Sequence, residues 1–244
     1  MRPDGFRLWG LVVLQLQMTT TISSSGDIET LAGVLSSRFQ HISVRKDYGW
    51  PQNSALSVVD CVLSLNRRYD GFVLPRLKLF ARRQPNIVEL AHLLDLLNSY
   101  TKIGEFCSRE LNYNHVQREQ TLRGVVKFMV SAQGCQEGIS EWDRLQAWAV
   151  RSRPIDYLSV ATAGFGLSGF QYMRMLFGAQ TTKPDVHIIR FVSQVVGRKV
   201  SDVQALELLE KASAKAGLPL REVDGAIWQA GARGPVTQQL ATGS

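Results

Sequence analysis

At 244 residues the chain can form one large domain or two small ones around a buried core, and its 45% hydrophobic and 20% charged fractions are those of a soluble globular protein. A net charge of +7 favours a polyanionic partner, either nucleic acid or an anionic membrane. Cys61, Cys107 and Cys135 are widely separated and no CxxC pair occurs, so neither a zinc site nor an iron–sulfur cluster is supported and a disulfide framework is not expected.

The N-terminal apolar run, residues 8–14, is too short to span a bilayer, and no other segment comes near that length. Asp4 and the lack of a small-residue cleavage site argue against a signal peptide. Residues 1–26 read as a flexible N-terminus in which Met18 offers an alternative start. From residue 27 apolar side chains recur at helical spacing, beginning with Ile28, Leu31 and Leu35 over residues 27–39. Residues 45–54 read as a loop ending at Ser54, a helix cap. The next helix, 55–66, is almost wholly apolar in its body and must be buried on nearly all sides. Further helices are expected over 71–81, 86–100, 119–132, 141–149, 155–162, 169–177, 186–196, 201–216 and 219–230. Ser201 suits an N-cap and Gly217 a C-cap. Alternation of period two is nowhere sustained, so the fold class is all-α, built of about nine or ten short helices. Residues 231–244 have no apolar face and read as a disordered tail.

Two short features carry chemistry. Gly164 and Gly166, one residue apart between two helices, permit a tight hairpin and leave room for a ligand at the N-terminus of the following helix, a place suited to phosphate. Asp185 follows Pro184, which ends the preceding helix, and is placed to cap the helix after it. Taken singly, these are a turn and a cap. His187 reads as a structural histidine pointing away from that aspartate.

Taken together, the GxG hairpin, an amphipathic helix and then "PDVHIIR" (184–190) resemble the helix-hairpin-helix superfamily of base-excision DNA glycosylases. Gly164 and Gly166 match the hairpin glycines; Asp185, His187 and Arg190 match the second motif. Residues 55–85 resemble the family's buried helix, the polar turn after it and a helix ending in Leu-Phe. Residues 220–229 resemble a C-terminal helix of the group. The likeness covers roughly residues 50–230, with 86–150 alike only in helical character. The chain departs from the pattern at Ala163, where proline is usual, and at Gly169-Phe170, where Thr-Ala is usual. Ser168 stands where bifunctional members carry lysine. The glutamate of adenine-excising members falls at Cys61, with Asp60 one residue out of register.

The resemblance implies two helical subdomains flanking a DNA-binding cleft. One is formed by residues 27–54 plus 170–230; the other spans 55–169 and ends in the hairpin. It implies a monomer that binds double-stranded DNA in the cytoplasm, at the nucleoid, with no membrane partner. The activity implied is hydrolysis of the N-glycosidic bond of a damaged or mispaired base; the alternative is a DNA-binding protein that kept the fold and lost excision. Asp185 would be the catalytic carboxylate, and Ser168 in place of lysine implies no lyase step. Gly164, Gly166, Ser168 and Gly169 would hold a backbone phosphate, and Asn66, Arg67 and Arg68 would enter or contact the DNA. Arg76, Lys78, Arg82 and Arg83 are further candidate phosphate contacts. Cys61, Tyr69, Trp50 and Tyr48 are candidates for the base pocket. No metal site or iron–sulfur cluster is implied; a monovalent cation at the hairpin carbonyls is.

Overall fold

The computed structural model describes residues 24–42 and 49–232. The expectations for residues 1–23, for Tyr48 and for the tail beyond 232 fall outside that range. Among the described residues the protein is all-helical, with eleven α-helices, one π turn, one 3-10 helix and no strand.

Helix α1 (Ser25–Phe39) is capped by Ser24, whose Oγ accepts a bond from the Asp27 amide at 3.1 Å. Helix α2 (Ser54–Leu63) is buried along its whole length. Its cap is Asn53 rather than Ser54, because the Asn53 side chain reaches the Leu56 amide at 2.8 Å. The expected helix over 71–81 divides into a π turn (Tyr69–Val73) and α3 (Leu74–Arg83). Pro75 lies in the first turn of α3, where a missing amide hydrogen leaves no bond unmade.

Helix α4 (Leu90–Ser99) starts four residues later than its apolar pattern suggests, with the Leu90 amide donating to Glu141 Oε1 at 2.9 Å. Helix α5 (Glu105–Leu111) has no counterpart among the expected elements. It is short, and its start is anchored from outside: Glu119 Oε2 accepts from the amides of Gly104 and Cys107. Helix α6 (Val116–Ala132) begins three residues earlier than expected because His115 Nδ1 accepts from the Arg118 amide. Helix α7 (Glu141–Arg151) is followed by a 3-10 helix (Pro154–Val160), where a regular helix over 155–162 was expected. The chain then runs through α8 (Leu167–Leu176), α9 (Val186–Val196), α10 (Asp202–Ala216) and α11 (Leu220–Ala232). Helix α10 carries both terminal signals: a Ser201–Gln204 capping box, and Gly217 at φ 67° at its C-terminus.

Apolar residues gather into two cores. The larger has α2 at its centre, packed by α6 and α8 and extended by α3, α4 and α5. Phe170 of α8 meets Trp148 edge-on at 5.7 Å, and Trp142 meets Phe177 at 5.3 Å. Each fully buried Val, Leu or Phe here contributes about 1.5–3 kcal/mol. The smaller core joins α1, α9, α10 and α11 through Leu31, Leu35, Ile188, Val192, Leu208, Leu209, Val223 and Ile227. Residues 178–185 lead from one core to the other and are pinned on both sides. The Thr181 hydroxyl accepts from Gln171 of α8 at 2.8 Å and donates to Glu210 of α10 at 3.1 Å.

A candidate nucleic-acid cleft and a buried carboxylate pocket

Three segments far apart in sequence line one cleft of about 1160 Å³: the turn 64–71 after α2, the hairpin 164–169, and residues 183–189 at the start of α9. Asp185, Gly164, Gly166, Ser168, Gly169, Asn66, Arg67, Arg68 and Tyr69 all border it.

The hairpin is built by close approach. Gly164 lies at φ 78°, a backbone conformation that side chains disfavour, and Thr121 of α6 holds the turn by donating to the Ala163 carbonyl at 2.9 Å. Gly169 lets α8 press against the end of α2, since a Cβ there would lie 2.9 Å from Leu65 Cδ2. No side chain caps α8, so its first-turn amides at Leu167, Ser168 and Gly169 point out of the helix end beside the cleft. The Thr162 and Ala163 carbonyls already accept bonds from the Phe165 amide and Thr121.

The turn after α2 is held by a residue the sequence reading passed over. Arg118 of α6 donates to the carbonyls of Val62 and Leu65, each at 2.8 Å, and so ties down the open end of α2 just before Asn66. Asn66 follows in the left-handed region at φ 55°, and Asn66, Arg67 and Arg68 are all exposed. Arg67 is partly committed, donating to the Tyr113 hydroxyl at 3.0 Å. Two of the other basic candidates serve local structure. Arg76 donates to the Phe72 carbonyl and lies over the Phe72 ring at 3.8 Å, and Arg83 donates to the Arg109 carbonyl. Lys78 and Arg82 are exposed on α3 and are not among the residues lining the cleft.

Asp185 is both a cap and a cleft residue. Its Oδ1 accepts from the His187 and Ile188 amides at 2.9 and 3.3 Å, which leaves Oδ2 for the cleft. His187 does not point away, as its sequence context suggested. It borders the same cleft, edge-on to Trp228 of α11, and its Nδ1 is buried with no hydrogen-bond partner among the described residues.

Adjoining the cleft is a cavity of about 410 Å³ that shares Ser64, Arg67, Tyr69, Lys183 and Trp228 with it. Trp50 and Tyr69 line this cavity. Cys61 does not. It is fully buried with Sγ directed at the Gly169 carbonyl, 3.2 Å away, and burial raises its thiol pKa. The neighbouring Asp60 faces the cavity instead. Asp60 accepts from Trp50 Nε1 (2.8 Å), Tyr69 (2.9 Å), Ser64 (3.0 Å) and Tyr172 (3.3 Å), so both oxygens are engaged and three aromatic walls hang on one carboxylate. Burial still raises its pKa above the ordinary aspartate value, against the pull of those four donors. Lys183 reaches over the Tyr172 ring at 4.4 Å.

Asp224 of α11 is the second acid of the cavity. Its Oδ2 accepts from the Thr182 hydroxyl at 2.6 Å and the Lys183 amide at 2.8 Å. Burial pushes its pKa up to about 7, and the neighbouring Asp185 charge adds to the shift. Because this pKa is raised, the stability associated with the neutral form is fully present below the ordinary value of 3.8 and is lost as pH rises through about 7. Asp224→Asn removes that dependence. Wild type is therefore expected to lose stability relative to D224N as pH rises from about 4 to about 7, measured by urea denaturation; a constant difference across that range would contradict the assignment. The signal for both acids was present in the sequence. Asp60 is a lone carboxylate in a wholly apolar helix, and Asp224 and Trp228 are four residues apart on one helix face.

The fold and site together define an all-helical protein whose cleft combines an uncapped helix N-terminus, a basic polar turn and a capping aspartate beside an acid-bearing aromatic pocket. The chain belongs to the family described as a domain of unknown function (DUF8548), which matches residues 34–232. No curated protein and no solved structure matches it. Among the described residues no helix is long and apolar enough to cross a membrane, and no group of three or more His, Cys, Asp or Glu is placed to hold a metal ion.

Proposed function

We propose that this protein is a monofunctional DNA glycosylase with a helix-hairpin-helix glycosylase fold. It would act as a monomer on double-stranded DNA at the nucleoid of the cytoplasm, with its two helical subdomains on either side of the cleft. The observation that carries this reading is the convergence of the Asn66 turn, the 164–169 hairpin and Asp185 on one cleft, although more than a hundred residues separate the first from the last.

In this reading a backbone phosphate sits against the open first-turn amides of α8, aided by the charge of Arg68. Asn66, projecting from its clamped turn, fills the gap left when the target nucleotide leaves the stack. The base enters the cavity walled by Trp50, Tyr69 and Tyr172, where stacking is sequence-tolerant and the polar groups select. As the glycosidic bond breaks, the sugar becomes oxocarbenium-like. The Asp185 carboxylate, with one oxygen anchored to its helix, stabilises that cation through the other and takes a proton from the attacking water. Ser168 offers no amine, so water is the nucleophile.

The test is a panel of duplexes carrying uracil, 8-oxoguanine, alkylated purines or mispairs, incubated with wild type and Asp185→Asn and then cleaved with alkali at abasic sites. Release from at least one duplex by wild type, lost in D185N, is expected. No release from any duplex moves the assignment to a DNA-binding protein without excision. A borohydride-trapped covalent adduct would assign the chemistry to an amine, with Lys183 the one placed for it.

A further inference from the structure

The cavity holds two buried acids, and their bonding makes them unequal. Asp60 spends both oxygens on four donors of the cavity wall, so it organises the pocket and has no lone pair left over for a ligand. Asp224 spends only Oδ2, on Thr182 and the Lys183 amide. Its Oδ1 has no hydrogen-bond partner among the described residues, and Asp224 lines the cavity. The same two bonds fix the Thr182–Lys183 backbone that leads to Asp185, so this free oxygen is held in register with the Asp185 carboxylate.

We infer that Asp224 is a second catalytic residue of the proposed glycosylase, a general acid whose Oδ1 protonates a ring nitrogen of the departing base, and that the base is a neutral purine. The inference rests on the glycosylase reading above. A purine presents a ring nitrogen lone pair at its edge, N7 or N3, whereas uracil presents only weakly basic carbonyl oxygens. A cationic alkylated purine is already activated and needs no proton. In the step, the Oδ1–H proton passes to the ring nitrogen and the C1′–N bond breaks with its electron pair going to the base, which leaves neutral. Water then adds to C1′ and gives its proton to Asp185. Asp224, left as carboxylate, regains a proton from solvent.

The surroundings keep Asp224 suited to this task at neutral pH. Burial and the Asp185 charge favour the protonated form, while Lys183 and the bonds from Thr182 and the Lys183 amide oppose it. From the other packed elements, Asp60 of α2, Arg67 and Tyr69 of the following turn, and Tyr172 of α8 face the same cavity. His187 of α9 meets Trp228, and Arg221 and Glu222 on α11 itself pair with each other at 2.9 Å.

The test is single-turnover release of hypoxanthine, and of adenine mispaired with guanine, from duplexes of natural purine and of their 7-deaza and 3-deaza analogues, by wild type and Asp224→Asn. D224N can still accept both anchoring bonds, and its fold is checked by circular dichroism and duplex affinity. On the natural purine D224N is expected to be at least about 10²-fold slower. One deaza analogue should slow wild type by a similar factor, and D224N should lose nothing further on that analogue. The wild-type rate should fall about tenfold per pH unit above about 7, a decline absent in D224N. Losses that multiply between D224N and both analogues, or an equal loss on a uracil duplex, would overturn the inference while leaving the glycosylase reading standing. Absence of wild-type release from both purine duplexes would overturn the inference, and only absence across the whole panel of uracil, 8-oxoguanine, alkylated-purine and mispaired duplexes would overturn the glycosylase reading as well.

Discussion

Replacing Asp185 with asparagine should lower base release by about 10²-fold or more while leaving the fold intact. The two effects separate because the carboxylate has two jobs on two oxygens. Oδ1 caps α9 through the His187 and Ile188 amides, and an asparagine oxygen caps equally well. The negative charge is needed only when the sugar becomes cationic. D185N should therefore melt within about 1 kcal/mol of wild type. It should bind duplex DNA as well or slightly better, because a charge that repels phosphate is gone. Undiminished release by D185N would remove Asp185 from the chemistry and leave it a cap.

Arg118→Met should be the most damaging change outside the chemistry. The two guanidinium bonds to the Val62 and Leu65 carbonyls close the C-terminus of a helix with no exposed face, and the replacement strips the Leu65 carbonyl of its donor and leaves Val62 with only the long 3.4 Å bond from the Leu65 amide. With about 1.5–3 kcal/mol for each charge-assisted bond, a loss of roughly 3 kcal/mol or more in urea denaturation is expected. Arg118→Lys should recover only part of it, since an ammonium lacks the planar fork that spans both carbonyls. The loosened Asn66 turn should also weaken discrimination between lesion-bearing and intact duplexes. Unchanged stability in R118M would show the clamp to be incidental.

The helices with strong 3.6-residue patterning and local end signals were readable in advance. Helix α10 announces itself with Ser201 and Gly217, and α9 with Pro184 and Asp185, because every group in those caps lies within four residues of its partner. Helix α5 was not readable, because the carboxylate that anchors its start belongs to Glu119 of another helix. The division of residues 69–83 into a π turn and α3 was hidden for a similar reason: a continuous apolar pattern does not show where the hydrogen-bond register changes.

For the site, the sequence alone determined the hairpin glycines, the polar turn and the capping aspartate, since each depends on a few consecutive residues. It pointed to Cys61 as the pocket residue, where the structure turns Asp60 to the cavity. A helix apolar on all sides carries no periodic mark of its rotation, and only packing of α2 against α6 and α8 turned Asp60 to the cavity and Cys61 to Gly169. Nor could it place Asp224 beside Thr182, some forty residues earlier. That contact exists because α11 packs on α9 in the smaller core and carries its acid to the segment joining the two cores. Burial in that position, and no property of the local sequence, raises the carboxyl to about 7.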